Sequence, residues 1–387
     1  IMNLIPPIAV VTADLHSSSI AEPSATDTGL AQYSGDWSAG TLYHVNDIVH
    51  YKITPPGTVS SHKLYICLQN NTGFTPGGAG NDAYWLEYRY TEAWLPFDGK
   101  VTLQAVAPAT TEVITLDVAP ATDWAKGDLI TGQTSNETCV VVSKITALTY
   151  YINARSGAFT LDESIGVTGT AAKIANQGAA HPTVAAANIS LLIYQLHPGE
   201  AIDSMALLNI EAESVVVERR SGTFIGAAAE TWTEDTYDNT NELYVSDIVK
   251  TNFGTDADPY FTIIVSNSLA TAKVGEIVIG NKESIGTTQY TPTVGIIDYS
   301  VKEVDTFGNY TVLERAYSKR LTCSTVIMNT LLDLTYNILA AHRAVPVVWV
   351  GSEDYASMIV YGFYKDFSII LAYPTFSMCE LEIEGLV

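Results

Sequence analysis

Short apolar runs separated by polar turns extend along almost the whole chain. Runs rich in Val, Ile, Thr and Tyr are interrupted by Gly, Asn, Asp or Pro at intervals of about eight to twelve residues. Apolar residues at helical spacing are nearly absent. The pattern therefore predicts a mainly β protein, with several small β modules and a C-terminal β-sandwich or β-barrel region.

One segment near the C-terminus departs from this strand pattern. The sequence NTLLDLTYNILAAH (Asn329–His342) places apolar residues at the spacing of an α-helix, and Asn329 or Thr330 can cap its first turn. The pattern predicts one flanking α-helix over about residues 330–343. The predicted apolar face of this helix comprises Leu331, Leu334, Ile338 and Ala341.

The length of the chain predicts more than one domain. Its 387 residues exceed what one core ordinarily supports, because domains usually contain roughly 100–150 residues. Composition and strand signals divide the chain into an extended N-terminal arm (1–32), an aromatic module (33–92), a small β domain (93–180) and two further β regions. The first of these (181–291) resembles a jelly-roll β-sandwich, and the second (292–387) resembles a β-barrel domain with one helix.

Residues 1–32 are predicted to form an arm that lies along a neighbouring subunit. Pro6 and Pro7 disfavour a helix there, and the stretch Ser17–Gly29 is rich in Ser, Thr, Ala and Pro. No basic segment precedes the first apolar residues, so a signal peptide is not expected. The interior stretch Ala179–Asn188 has the composition of a linker.

The charge of the chain limits its partners. The formal net charge is −23, so a phosphate backbone would be repelled and nucleic acid is not an expected partner. No apolar run reaches about 18 residues, so membrane insertion is not expected. Charged residues make up only 16% of the chain, which favours a surface that is partly covered in an assembly.

The stretch from Tyr33 to Tyr88 concentrates aromatic residues between Gly- and Asn-containing turns. In chain order it contains Trp37, Tyr43, Asn46, Asp47, Val49, Tyr51, Tyr65, Asn71, Thr72, Gly73, Pro76 and Trp85. This order resembles the small chitin- or cellulose-binding modules of bacterial chitinases, and that resemblance implies a carbohydrate-binding module. Asn46 replaces the usual Gly, and the insertion Thr54–Ser61 lengthens the hairpin before Tyr65.

The small size of this module leaves two interpretations of its rings. A unit of this size has little aliphatic surface, so large aromatic side chains can supply its core. Trp37, Tyr43 and Tyr51 are assigned to that core. Alternatively, some rings stack on the C–H faces of sugars while polar neighbours bind the hydroxyls. On that interpretation the candidate carbohydrate-binding residues are Tyr65, Tyr84, Trp85 and Asn71. Trp85 fits both interpretations.

The C-terminal region carries a second resemblance. The segment Glu314–Arg320, the predicted helix, PVVWVG (Pro346–Gly351) and VYGFYKDFSI (Val360–Ile369) resemble the C-terminal regions of tail and baseplate proteins of tailed bacteriophages. The resemblance implies a virion structural protein of the tail tip, baseplate or collar, made in the host cytoplasm and assembled as a homo-oligomer. Its partners would be its own copies, other tail proteins and bacterial surface polysaccharide.

The sequence contains no recognisable catalytic motif. GxSxG, P-loop and GxGxxG patterns are absent, and the row Glu380, Glu382 and Glu384 alternates with apolar residues as on the solvent face of a strand. We therefore expect no catalytic residues, no cofactor and no enzymatic activity. The alternative is a secreted carbohydrate-active enzyme with an accessory sugar-binding module.

The histidines and cysteines do not form a zinc signature. His44, His50 and His62 match no ligand spacing, and none of the four cysteines belongs to a CxxC pair, so no metal is expected. Cys323 and Cys379 fall in adjacent predicted strands. The sequence is compatible with a disulfide between them and also with two buried thiols.

Overall fold

The computed structural model shows a mainly β protein, which confirms the predicted fold class. It describes residues 1–11, 14–20, 22–51, 62–107, 111–125, 128–153, 155–178, 180–224, 227–304, 306–308 and 310–386. The predicted insertion Thr54–Ser61 lies outside the described residues.

The first part of the chain contains β1 (Met2–Ile5), β2 (Leu15–Ser18), α1 (Ala25–Thr28), β3 (Tyr33–Asp36), β4 (Leu42–Tyr43), β5 (Ile48–Tyr51), β6 (Lys63–Cys67), β7 (Asn71–Thr72) and β8 (Trp85–Tyr90). The next part contains a 3-10 turn (Leu95–Phe97), β9 (Ala105–Val106), β10 (Thr111–Thr115), β11 (Leu129–Gly132), β12 (Thr138–Lys144), β13 (Thr149–Asn153), β14 (Ile165–Gly166), a 3-10 turn (Ala171–Lys173) and β15 (Ile174–Ala175).

The central part contains β16 (Thr183–Leu196), β17 (Ser204–Leu208), β18 (Ser214–Ser221), β19 (Glu230–Asp235), β20 (Tyr237–Asp238), β21 (Leu243–Tyr244), β22 (Ile248–Lys250), β23 (Pro259–Asn267), β24 (Lys273–Val274), β25 (Glu276–Gly280) and β26 (Glu283–Thr288). The last part contains β27 (Thr293–Asp298), β28 (Val301–Val304), β29 (Tyr310–Leu313), β30 (Tyr317–Met328), a 3-10 turn (Asn329–Leu331), α2 (Leu332–Ala341), β31 (Val347–Val350), a 3-10 turn (Ala356–Met358), β32 (Ile359–Ile370) and β33 (Phe376–Gly385).

The C-terminal strands close into a barrel. The antiparallel order β26-β1-β31-β32-β33-β30 returns to β26 because β30 pairs with it, so six strands form a closed circuit. Closure removes free edges, which would otherwise expose unpaired backbone groups. β27 extends the sheet beyond β30, and Trp349 is among the fully buried side chains of the barrel core.

A β-sandwich lies beside the barrel. Strands β2, β16, β23, β18 and β19 form one sheet, and β22, β17 and β25 form the other. All five residues of β17 and of β25 are buried, because one face of their sheet packs into the sandwich core and the other against the barrel. Strands that are buried on both faces have nearly continuous apolar sequences, because neither face contacts water.

Two smaller units complete the chain. Strands β10 to β15 form a sheet whose core includes Trp124 and Tyr150, and β16 continues from this sheet into the sandwich. In the aromatic module, β3, β5, β6 and β8 form one sheet, and β4 pairs with β7. β3 and β5 are parallel.

The predicted boundaries need correction at both ends of the chain. Residues 1–32 are not a free arm, because β1 is a fully buried barrel strand and β2 pairs with β16. The barrel also requires β26, so a boundary at residue 292 cuts through it. The linker-like stretch Ala179–Asn188 enters strand β16 at Thr183. Local composition does not indicate pairing between strands hundreds of residues apart.

The predicted helix is present, but its predicted cap is wrong and its predicted apolar face is only partly correct, since Ile338 packs against the barrel core. The side chain of Asn329 binds the carbonyl of Tyr373 at 2.9 Å instead of capping the helix, and the residue at the N-cap makes no side-chain hydrogen bond. The helix buries Thr335 and Leu339, which are one turn apart and face the barrel. Leu334, on the predicted apolar face, is 56% exposed.

Candidate functional site

The rings of the aromatic module form its core. Tyr43 and Trp85 meet edge to face with their centroids 5.3 Å apart, and the indole N–H of Trp85 donates to the carbonyl of Phe74 at 2.7 Å. Only 4% of Trp85 is exposed. Trp37 and Tyr51 are half-buried and pack against this core, which is the arrangement expected for them. Trp85 therefore belongs to the core and not to a binding surface.

Tyr65 is also inside the module, contrary to its predicted place on a binding face. It is 7% exposed, and its ring meets Tyr51 edge to face. The turn at Gly77 covers it closely: a Cβ atom at Gly77 would lie 2.7 Å from the Tyr65 hydroxyl, and the backbone there has a φ of +68°. Glycine is needed at this position for both reasons.

Asn71 stabilises a turn rather than offering an amide to solvent. It is 4% exposed, and its side-chain nitrogen donates to the carbonyl of Gln69 at 2.9 Å and to the thiol of Cys67 at 3.2 Å. These contacts join the end of β6 to β7. The predicted carbohydrate-binding role of Asn71 is therefore not compatible with its position.

Tyr84 is the one predicted binding residue that reaches the module surface. It is half-buried and stacks on Phe74, with centroids 3.9 Å apart and planes 13° apart. Phe74 is 38% exposed, so it presents the outward ring of the pair. Sequence reasoning missed Phe74, although an aromatic residue inside the turn between Asn71 and Pro76 is a recognisable signal.

Two histidines share one carboxylate beneath the module. Glu22 hydrogen-bonds to the imidazole of His62 and accepts from the hydroxyl of Thr91 at 2.6 Å. His50 is buried, lies 3.9 Å from Glu22 and hydrogen-bonds to Asp36 at 3.0 Å. Burial raises the pKa of Glu22, but the contacts with His62, Thr91 and His50 outweigh it and hold that pKa below its usual value.

A second buried network lies next to the first. Asp27 is completely buried and pairs with the guanidinium of Arg89 at 2.9 Å. Arg89 also contacts Glu92 at 3.3 Å, while Asp27 accepts from the backbone N–H of Ser24 at 3.0 Å. The pKa of Glu92 is raised because burial outweighs its contact with Arg89. Together the two networks connect the segment after β2 with the module.

The structure does not assemble a metal site or a disulfide from the described residues. No three His, Cys, Asp or Glu side chains in this part of the chain lie in an arrangement that could hold a metal ion. Cys323 and Cys379 are buried free thiols, and burial raises the pKa of each to about 11. Both thiols therefore stay protonated at neutral pH and pack as small apolar groups.

Three elements in the C-terminal part of the chain expose large apolar side chains. The hairpin formed by β28 and β29 contributes Val304, Tyr310, Val312 and Leu313. Helix α2 and its preceding turn contribute Leu331, Leu334 and Tyr336. Strand β27 contributes Val294 and Ile296. We call these residues the barrel patch.

The acidic row of β33 is part of the same barrel. Leu381 and Ile383 are buried, while Glu380 is exposed and Glu382 and Glu384 are partly exposed. Glu382 pairs with Lys365 at 3.2 Å within the chain. The row therefore lies on the solvent face of the strand, as its alternation predicts.

No protein-family model matches the chain, and neither a curated protein nor a solved structure shows significant similarity to it. No helix among the described residues combines the length and the apolar character required to cross a bilayer.

Proposed function

We propose that the protein is a structural component of a tailed-bacteriophage virion, in the tail tip, baseplate or collar, and that it assembles with its own copies through the barrel patch. The resemblance of the C-terminal segments to tail and baseplate proteins supports the place of assembly. The exposed hairpin of the barrel supports the assembly itself.

The hairpin is the observation that carries this proposal. Val304 and Leu313 lie on its opposite faces, because the register pairs Val301 with Leu313 and Val304 with Tyr310. Tyr310 is 76% exposed. A two-stranded hairpin alone is only marginally stable in water and needs a third strand or a packed surface. The hairpin carries exposed apolar side chains on both faces, beside Lys302 and Glu303, so a partner surface would stabilise it.

Two further elements of the C-terminal part expose apolar side chains. β27 is the last strand of its sheet order and exposes Ile296, so it presents a strand edge together with an apolar side chain. Helix α2 exposes Leu334 and Tyr336, and the ring of Tyr336 also meets Phe367 of β32 edge to face. Extended apolar surfaces of this kind mark interaction sites on soluble proteins. A second copy is the partner that we propose, since a ring of identical subunits covers the patch on every subunit.

Particle size and shape test the proposal. We expect light scattering of the purified protein to give an oligomer, and electron microscopy to show a closed ring. Leu334→Glu should shift the protein to smaller species, because it places a charge in the patch. Leu161→Glu is the matched control, since Leu161 is equally exposed, at 56%, but lies in the small β domain.

Two results of this test would contradict different parts of the proposal. A wild-type protein that stays monomeric at high concentration and never co-purifies with phage particles contradicts the proposal. Loss of assembly in Leu334→Glu and in Leu161→Glu alike would show that general surface charge, and not the barrel patch, controls association. Contact with host surface glycans is a further part of the proposed role.

A further inference from the structure

A large cleft separates the small β domain from the sandwich. Its volume is about 760 Å³, and its walls come from both units. Asp123, Lys144 and the turn at Ile145–Ala147 lie on one side, and Arg220 and Tyr260 lie on the other. Clefts of roughly 300–1,000 Å³ between domains are preferred places for small ligands.

Four rings line the sandwich side of the cleft in a continuous series. His16 stacks on Phe224 with centroids 4.6 Å apart, and Phe224 meets Tyr260 edge to face at 4.8 Å. Tyr260 in turn stacks on His197 at 4.0 Å with planes 13° apart. Each ring is at least partly exposed. His16 belongs to β2, so the predicted arm supplies part of this wall.

Charged groups near the rings are held in pairs. Lys144 binds Asp123 at 2.6 Å on one wall, and Arg220 binds Glu218 at 2.7 Å on the other. Because each cation already has a carboxylate, the walls offer both donors and acceptors without a strong net positive field. The pairing restricts the orientation of these charged side chains, so less conformational entropy is lost when a ligand binds.

We propose that this cleft binds an oligosaccharide. Sugars combine apolar C–H faces with many hydroxyl groups, and the cleft combines a row of aromatic rings with paired donors and acceptors. The inference rests on the proposed contact with cell-surface glycans for the source of the ligand. It moves that contact from the aromatic module, where Tyr65 and Trp85 are buried, to the cleft.

Other ligand classes fit the cleft less well. A phosphate-rich ligand would need cations that are not neutralised, whereas Lys144 and Arg220 are both paired. A lipid chain would leave Asp123 and Lys144 desolvated without new hydrogen bonds, which is costly. An oligosaccharide satisfies both the rings and the polar walls.

The test measures binding to the full-length protein by calorimetry and on an array of bacterial polysaccharides. The neutral soluble probes are chitotetraose, cellotetraose and maltotetraose. The anionic probes, for comparison, are tri-galacturonate and adenosine monophosphate. Phe224→Ala removes a ring from the series and should weaken binding roughly tenfold or more. Ala147→Trp, on the opposite wall, should weaken it similarly by filling the cleft while all four rings stay in place.

Phe74→Ala is the matched control, since it removes the exposed ring of the aromatic module. It should change the affinity by less than about twofold if the cleft is the binding site. Binding that depends on Phe74 but not on Phe224 and Ala147 overturns the inference, as does preference for adenosine monophosphate over every saccharide. The absence of binding to any saccharide probe or array polysaccharide overturns it too.

The size of the particles is recorded for each variant. Phe224→Ala should assemble like the wild type, because Phe224 lies outside the barrel patch. Saccharide binding by a protein that does not assemble would contradict the proposed virion role alone. Assembly without saccharide binding would contradict the cleft inference and the proposed glycan contact, but not the proposed role in assembly.

Discussion

The sandwich is joined to the barrel and to the aromatic module by different chemistry. Toward the barrel, Ala206 and Val278 of the shared middle sheet pack with Val348, Val350 and Tyr361 in one buried apolar cluster. Apolar burial of this kind depends little on pH or salt and contributes in proportion to the area removed from water. The sandwich and barrel should therefore behave as one cooperative unit.

The aromatic module adds buried charges at its junction to the apolar packing of Tyr90 on the sandwich core. Asp27, Arg89 and Glu22 connect it to the segment that follows β2, and His62 stacks on Trp94 with centroids 4.1 Å apart. A buried ion pair contributes little net stability compared with apolar packing, but removal of one partner is expensive. The module should therefore respond to pH and to single charge changes that leave the barrel intact.

The largest effect is expected at the apolar junction. Val278→Asp places a carboxylate between the sandwich and the barrel and should cost roughly 5 kcal/mol or more, which is enough to unfold both units. Val118→Asp is the control, because Val118 is 49% exposed. Denaturant titration measures the stability of both variants. An unfolding midpoint for Val278→Asp equal to that of the wild type would show that the junction is not tightly packed.

Removal of the buried guanidinium should act more locally. Arg89→Ala leaves the completely buried Asp27 without its cation and should destabilise the module by about 3–5 kcal/mol. Lys63→Ala breaks the more exposed pair with Glu87 and should cost about 1 kcal/mol or less. Hydrogen exchange should show faster opening of residues 62–90 in Arg89→Ala only, with the barrel unchanged. Equal effects of the two substitutions would contradict the network.

Glu276, on the middle sheet, should make stability fall as pH rises. Burial, followed by the charge of Asp98, raises its pKa to about 9, although the backbone N–H of Gly99 donates to it. Between its usual pKa of 4.5 and about 9, the folded carboxyl keeps a proton that the unfolded chain releases, so the free energy of unfolding decreases across this window.

Glu276→Gln removes this titration. The variant should match the wild type near pH 5 and be more stable near pH 9, by on the order of a few kcal/mol. Thermal unfolding across this pH range measures the difference. Parallel pH curves for the variant and the wild type would show that Glu276 ionises normally.

The smallest effect is expected at Glu22, with the opposite sign. Its pKa lies below the usual 4.5, so its contribution to stability is present above that pH and is lost as pH falls through the lowered pKa. Glu22→Gln should cost about 1 kcal/mol near neutral pH and nothing at the acidic end. A cost that persists in acid would indicate lost packing rather than lost charge.

The sequence predicted that aromatic residues are important in the module, but it did not predict correctly which of them lie at its surface. The order of the aromatic residues predicted a small module, but it could not separate inward rings from outward ones. Tyr84 and Trp85 are adjacent in the chain, and only the fold shows that Trp85 is buried while Tyr84 stacks beneath the exposed ring of Phe74. The cleft escaped sequence reasoning because His16, Phe224 and Tyr260 come from three separate strands or loops.

Local pattern by itself determined that this chain is mainly β and where helix α2 lies. These features depend on residues that are close together in the chain, so the periodicity and the turn residues of the sequence indicate them directly. Only the tertiary structure decided that β1 completes the barrel, that α2 buries Thr335 and Leu339, and that rings from distant segments line one cleft. Alternation and helical spacing indicate which side chains can be buried together, but pairing across hundreds of residues decides which face is covered.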